Sequence, residues 1–374
     1  MNHSTSAAVL FRVPLSLASS ATAVLVMYAG AHAAIDAATV TTLYRAGITS
    51  GLVDTFWLVV LYNGLAFALQ AAIGPLVDAL RAPRTAAIVG TALALAALTL
   101  LGRLPASAVV AIAGIGNALF HLGGGAIALE LAPGKSAPSG VFVAPGALGL
   151  ATGIWAGHRP SVTLVPLAVV LGLCLIAQTL TDPATGARPT EPALAEKPDR
   201  AHISTSFAFA AGGLLLLTVG VRSLVGSGAA HALPRSVPLT FALALGAFSG
   251  KCLGGFVADR LGWIPVSVGA LLMSLPFLVI YGDREWAVVI GVMLFQMTMP
   301  VTLAAMASLM PRRPATAFGV CCLALVIGAA AMWNPSVAAV LLRERVFVAL
   351  IILSAIGVWR ALAIQKRLQV RAMT

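Results

Sequence analysis

Twelve apolar runs, most of them close to twenty residues long, alternate with short polar breaks along the sequence. A helix that crosses a bilayer core needs about 20 apolar residues, so each run reads as a transmembrane helix. Six are expected at 15–40, 52–76, 86–101, 107–131, 140–156 and 162–180, and six more at 207–225, 239–257, 264–281, 287–309, 315–333 and 346–364. Between the two sets, residues 181–205 are polar and carry Pro183, Pro189, Pro192 and Pro198. Too few apolar side chains stand there to pack, which makes the stretch a flexible cytoplasmic linker. The expected fold is an all-α membrane protein with twelve transmembrane helices in two pseudo-symmetric six-helix bundles, residues 1–180 and 206–374.

Composition agrees. The 374-residue chain is 60% hydrophobic and 9% charged, against about 25% charged in soluble domains. The formal charge of +11 does not point to nucleic acid, because no basic tract with interleaved aromatics stands in a soluble segment. Basic residues in such a chain sit at helix ends and set orientation. With the N-terminus inside, inner loops gather Arg81, Arg84, Lys135, Arg260, Arg312 and Arg313, and outer loops hold fewer, among them Arg45 and Arg235. An even span number places both termini in the cytoplasm. Only Arg12 precedes the first run, which is long enough to span and so is no cleavable signal. Cys174, Cys252, Cys321 and Cys322 lie inside apolar runs without metal-ligand spacing, and no disulfide is expected.

The two sets of six share motifs. Gly74-x-x-x-Asp78-Ala-Leu-Arg81 follows the second run, and Gly255-x-x-x-Asp259-Arg260 follows the eighth. Glycine lets helices approach, and the Asp can accept hydrogen bonds from a neighbouring helix N-terminus and pair with an inner-face Arg. Such a latch would hold the halves together on the inner face. Gly30-Ala-His32 also matches Gly220-Val-Arg222, and Leu43-Tyr-Arg45 matches Leu233-Pro-Arg235. A duplicated six-helix unit is the signature of a secondary transporter with substrate held between the halves.

Ionisable residues inside the apolar runs mark candidate chemistry, since a charge at bilayer depth costs at least ~2.5–3.5 kcal/mol. His32 and Asp36, four apart, share one helical face. His121 lies deep in the fourth run, where it can relay protons or bind an anion, with Asn117 one turn away. Arg222 in the seventh run stays charged at any working pH and needs a carboxylate or an anionic substrate, and Asp36 is the obvious partner. Proton coupling is assigned to Asp36 and His121, and substrate binding to His32, Asn117, His121 and Arg222. The gating set is Gly74, Asp78, Arg81, Gly255, Asp259 and Arg260. Gln70 and Lys251 match in the repeat and read as structural. The fifth run carries Pro145-Gly146 and Gly149-x-x-x-Gly153-x-x-x-Gly157, a small-residue groove for a neighbouring helix. There is no Walker motif, no constellation of an enzyme and no expected cofactor or resident metal.

These motifs together resemble the major facilitator superfamily of transporters. Gly255, Asp259, Arg260 and Gly262 are similar to that superfamily's loop motif in full. The first copy departs from it at Ala79 and Pro83. Within the superfamily the chain is most similar to the fosmidomycin-resistance efflux group. His32-Ala-Ala-Ile-Asp36 resembles a first-helix His-x-x-Asn-Asp, with Ile35 in place of Asn. Gly114-x-Gly116-Asn117-x-x-Phe120-His121 resembles a fourth-helix motif, with Leu122 in place of Pro, and Arg222-Ser223 resembles a seventh-helix pair. The glycine-rich fifth helix resembles an antiporter motif. The resemblance implies a proton-coupled exporter of a small compound in a bacterial inner membrane, and an anion is one of the two partners Arg222 would accept. The partners are then a small-molecule substrate, protons and lipid, with a monomer as the simplest state. Two alternatives are kept: transport of a metal ion or chelate through His32, Asp36, His121 and the methionines, and a non-transporting sensor or assembly protein of the same fold.

Overall fold

The structure is a computed structural model that describes residues 21–48, 50–183, 205–229, 233–234 and 236–373. The N-terminal reading around Arg12, most of the linker and Arg235 lie outside the described residues.

Every regular element among the described residues is helical. In chain order these are α1 (Ala21–Ile48), α2 (Val53–Leu80), α3 (Pro83–Thr99), α4 (Ala106–Glu130), α5 (Ala137–Gly157), α6 (Val165–Leu180), α7 (Phe207–Ala229), α8 (Val237–Leu261), α9 (Trp263–Ile280), α10 (Glu285–Leu309), α11 (Pro314–Trp333) and α12 (Glu344–Leu368). Ten are long and apolar enough to cross a membrane, and α3 and α6 are shorter apolar helices. The two short helices lie side by side. A reciprocal hydrogen bond ties them, in which Gln178 Nε2 donates to Thr91 Oγ1 at 3.0 Å and Thr91 Oγ1 donates to Gln178 Oε1 at 3.1 Å, all of it buried. Inside α10 the helix breaks at Met297–Thr298, just ahead of Pro300, which has no N–H to give the preceding turn.

One boundary differs in a way that matters. The first helix was expected to end near Val40, yet α1 continues to Ile48. Thr39 and Thr42 fold their hydroxyls onto the carbonyls of Ile35 and Ala38 within the helix, and Thr41 donates to the carbonyl of Gly153 on α5, so the threonines at 39, 41 and 42 are satisfied without a break in the helix. Arg45, expected in a loop, lies in the last turn of α1. It donates to the carbonyls of Ala156, Arg159, Pro160 and Val162 and so closes the C-terminal end of α5. The extension moves Asp36 to the middle of α1.

Lipid tails offer helices no hydrophobic drive to associate, so close approach of small residues supplies the packing. α1 lies along α5, where a side chain at Gly153 would run into Val40 and the carbonyl of Ala37. Among the last six helices, α7 lies against α11 and α12. The two sets of six meet chiefly where α5 crosses α8 and where α2 crosses α11. These crossings repeat each other. Gly319 of α11 sits on the carbonyl of Gln70, and Gly140 of α5 sits on the carbonyl of Lys251. One turn on, Gly74 packs on Ala315–Thr316, and Gly255 packs on Ser136–Ala137. Towards the other end of α2 and α11 a cleft of about 340 Å³ opens beside Thr55, Phe56, Val59 and Trp333. The matched crossings join the halves at the end that carries Asp78 and Asp259.

Candidate functional site

Each repeated Asp crosses from one half to the other and caps a helix. Asp78 Oδ1 accepts from Ala315 N at 3.0 Å, and its Oδ2 accepts from Thr316 N at 2.8 Å and Thr316 Oγ1 at 2.6 Å. Asp259 accepts from Ser136 N at 2.8 Å, Ser136 Oγ at 2.9 Å and Ala137 N at 2.9 Å. The first N–H groups of α11 and α5 have no partner inside their own helices, and the helix dipole adds positive potential there, so an ionised carboxylate fits both. Gly74 and Gly255 allow the approach. The arginines expected to pair with these carboxylates do not. Arg81 and Arg260 are exposed, and no ion pair among the described residues joins either to Asp78 or Asp259. Backbone N–H donors already occupy the carboxylates, and water solvates a guanidinium more cheaply than a crowded helix crossing does.

In the middle of the protein α1 and α4 bring His32, Asp36, Asn117 and His121 together. His32 and His121 are 4% and 5% exposed, and Asn117 is fully buried. The Nε2 atoms of His32 and His121 stand 2.8 Å apart. Asp36 Oδ2 lies 3.2 Å from His32 Nε2, and Oδ1 lies 3.6 Å from His121 Nε2. Asn117 Nδ2 donates to Asp36 Oδ1 at 3.0 Å and to Thr39 Oγ1 at 3.3 Å, and Thr39 Oγ1 bonds the hydroxyl of Tyr62. On the far side of the two rings, His32 Nδ1 is 2.8 Å from the carbonyl of Phe142, and His121 Nδ1 is 2.8 Å from that of Asn117. Gly146 of α5 is the floor of the cluster: any Cβ there would strike His32 and Asp36. Phe142 stacks on His32 with centroids 4.7 Å apart, and Phe318 of α11 meets Phe142 at 6.1 Å. These rings cover the cluster with apolar surface from α5 and α11.

The ion pair expected between Asp36 and Arg222 is not formed. The ion-pair partners of Asp36 are the two histidines. Arg222 is buried, 3% exposed, and donates from Nη1 to Thr302 Oγ1 of α10 at 3.0 Å. The reason is local: two imidazoles and an amide already surround Asp36, and the break in α10 presents Thr302 to α7. Cys321 and Cys322 of α11 stand within electrostatic reach of Arg222. Lys251, read from sequence as structural, reaches across the α5–α8 crossing to the carbonyl of Val143 at 3.4 Å. It lies within electrostatic reach of both Asp36 and Arg222. No carboxylate answers either cation within 4 Å among the described residues.

Sequence reasoning did not find Thr302, the helix starts at Ser136 and Thr316, or the aromatic cover. Pro300 in the tenth run was the one available signal for Thr302. His32, Asp36 and His121 are also the group of His, Cys, Asp and Glu side chains whose polar atoms converge, within 4.8 Å. Two of the methionines lie away from it: Met273 is exposed, and the sulfur of Met306 lies by Gly212, well before Arg222 on α7.

No protein-family model matches the chain, and no curated protein matches it in sequence. Solved structures do match in shape. The E. coli fucose:proton symporter FucP, as a single-residue variant, superposes with a TM-score of 0.62 at 10% identity over 92% of this chain and 98% of that one. FucP in an outward conformation gives 0.65 at 12% identity with the same coverage. The human organic anion transporter MFSD10 gives 0.63 at 15% identity over 90% of this chain and 98% of its own. The protein therefore has the fold of major facilitator superfamily transporters.

Proposed function

We propose that this protein is a proton-coupled secondary transporter that exports a small organic anion by alternating access, with residues 1–180 and 206–374 as the two moving units. The observation that carries the reading is the pairing of two unlike sites between the helices. A buried His32–Asp36–His121 cluster can take up or give up a proton. A buried Arg222, with Lys251 within electrostatic reach, has no carboxylate of its own among the described residues. A guanidinium held in low dielectric without an anionic partner is a binding site for an anion. The anchored carboxylates of Asp78 and Asp259 serve as the gate. Fold-mates that move fucose with protons, or organic anions, support secondary transport. Export rests on the resemblance to the fosmidomycin-resistance group and to the antiporter-like fifth helix. The bacterial inner membrane, with both termini cytoplasmic, is the matching location. A transported metal ion is the second reading, favoured by the convergence of His32, Asp36 and His121.

The test is proton flux in proteoliposomes, wild type beside Asp36→Asn, with organic anions, neutral drugs and divalent metal ions added in turn. An organic anion is expected to trigger proton movement in wild type and not in Asp36→Asn. Triggering by a metal ion alone would replace the proposal with the second reading. Unchanged coupling in Asp36→Asn would remove Asp36 from the mechanism.

A further inference from the structure

The hydrogen bonds around the two histidines decide where a proton must be. A backbone carbonyl accepts and never donates, so the carbonyls of Phe142 and Asn117, each 2.8 Å from an Nδ1, require N–H at both Nδ1 atoms. A neutral imidazole has one N–H. If both rings were neutral, their Nε2 atoms would stand 2.8 Å apart, across rings that meet edge-on at 84°, with no hydrogen between them, a repulsive contact at hydrogen-bond distance. A proton on Asp36 does not repair this, because it can be donated to one Nε2 only and leaves the other still facing a lone pair. One proton between the two Nε2 atoms gives all four ring nitrogens a hydrogen-bonding role at once. The pair is then a single cation, flanked by both oxygens of an ionised Asp36 at 3.2 and 3.6 Å, and the cluster is neutral overall.

We infer that the proton of this site is shared between His32 Nε2 and His121 Nε2, and that Asp36 is its permanent counter-charge rather than its carrier. The inference deepens the proposed coupling and rests on it only for the part this proton plays in transport. The balance is simple: when the pair releases H⁺, one Nε2–H bond breaks, the Nδ1–H bonds stay, and the cluster becomes an anion. The bare nitrogens then repel, which loosens the contact that joins α1 to α4 at this point. Other titratable and charged groups face the site. Lys251 of α8 lies within electrostatic reach of His121 and Asp36, and Tyr62 of α2 and Cys322 of α11 within reach of Asp36. Arg222 of α7 lies within electrostatic reach of Lys251. On proton loss, Lys251 is the cation placed to take over as partner of the freed Asp36.

The test is ¹⁵N NMR of histidine-labelled protein in lipid at neutral pH, with infrared spectra of the carboxyl region. Single His→Gln substitutions assign the signals among the six histidines. The expected result is protonated Nδ1 on both rings and a scalar coupling between their Nε2 atoms through one shared proton. The coupling is lost in His32→Gln and in His121→Gln. In Asp36→Asn the counter-charge is gone, and proton occupancy of the pair at neutral pH falls. Wild-type spectra with both Nε2 atoms bare, or a protonated-carboxyl band that vanishes in Asp36→Asn, overturn the inference. The wild-type nitrogen spectrum decides even if a variant fails to fold. Transport without proton movement, in protein that shows the shared proton, overturns the coupling and leaves the site.

Discussion

Among the described residues Arg222 is hydrogen-bonded to one threonine hydroxyl and paired with no carboxylate, and that imbalance is where an anion gains most. A hydrogen bond to a charged group contributes about 1.5–3 kcal/mol, or roughly 10- to 150-fold in binding. Arg222→Gln is therefore expected to raise the half-saturating anion concentration by that factor, read from uptake into inverted vesicles. Arg222→Lys is expected to recover part of it, since a point charge replaces the planar fork. Gly146 makes a different kind of demand. Its α-hydrogen faces His32 and Asp36, and overpacking a tight site costs about 1–3 kcal/mol. Gly146→Ala is expected to lower the melting temperature in detergent and to remove proton coupling. A variant that melts and couples like wild type would show that the cluster has room to spare. His32, Asp36 and His121 were visible in the sequence because ionisable groups at bilayer depth stand out. Their mutual contacts were not, because which ring meets which depends on how α1 crosses α4.

The helix ends are held by charge as much as by packing. Asp78 and Asp259 each accept three or more hydrogen bonds from a helix start in the other half. Changing either to Asn removes the charge and leaves the shape. With about 1.5–3 kcal/mol lost per carboxylate, the equilibrium between closed and open forms of this end is expected to move about 10- to 150-fold towards open. Spin labels at the exposed positions Arg81 and Arg312 would read the separation, and an unchanged distance distribution would deny the latch a gating role. Inside the first half, Thr91→Ala leaves Gln178 with an unanswered buried amide, an expected loss of about 1–3 kcal/mol. Thr91→Val with Gln178→Leu removes both partners and is expected to cost much less. Thermal unfolding of the three proteins separates these outcomes. The Gly-x-x-x-Asp spacing was enough to foresee the acceptor. The donor was hidden, because a backbone N–H at a helix start carries no residue signature.

Taken together, the helices are joined across the two halves at the end that carries Asp78 and Asp259, and the proton cluster and the two cations lie deeper in the bundle. Phe142 and Phe318 lie across the cluster, and water that passes them would connect the bare nitrogens to the joined end. Phe318→Ala is expected to leak protons down a pH gradient without substrate, measured in liposomes with a pH-sensitive dye. A variant as tight as wild type would place the barrier elsewhere. The matched crossings, Gln70 on Gly319 and Lys251 on Gly140, extend the repeat seen in the sequence to backbone contacts. They also give Lys251 the structural place that the repeat assigns to it. Its carbonyl holds the structural place that Gln70 holds in the first half, while its amine turns towards Val143 and the electrostatics of the cluster.

Twelve helices, their order and the two carboxylate turns were legible because each follows from local composition: apolar length sets a span, and a repeated turn survives as a repeated motif. Even there the end of α1 was placed eight residues short, since Thr39 and Thr42 satisfy their own helix and polar residues misled the count. The partners of Asp36 and Arg222 came from packing alone. Between helices in lipid, apolar side chains gain nothing by choosing one neighbour over another. Crossings are then set by glycines meeting backbone and by buried hydrogen bonds, and such contacts join residues a hundred or more positions apart.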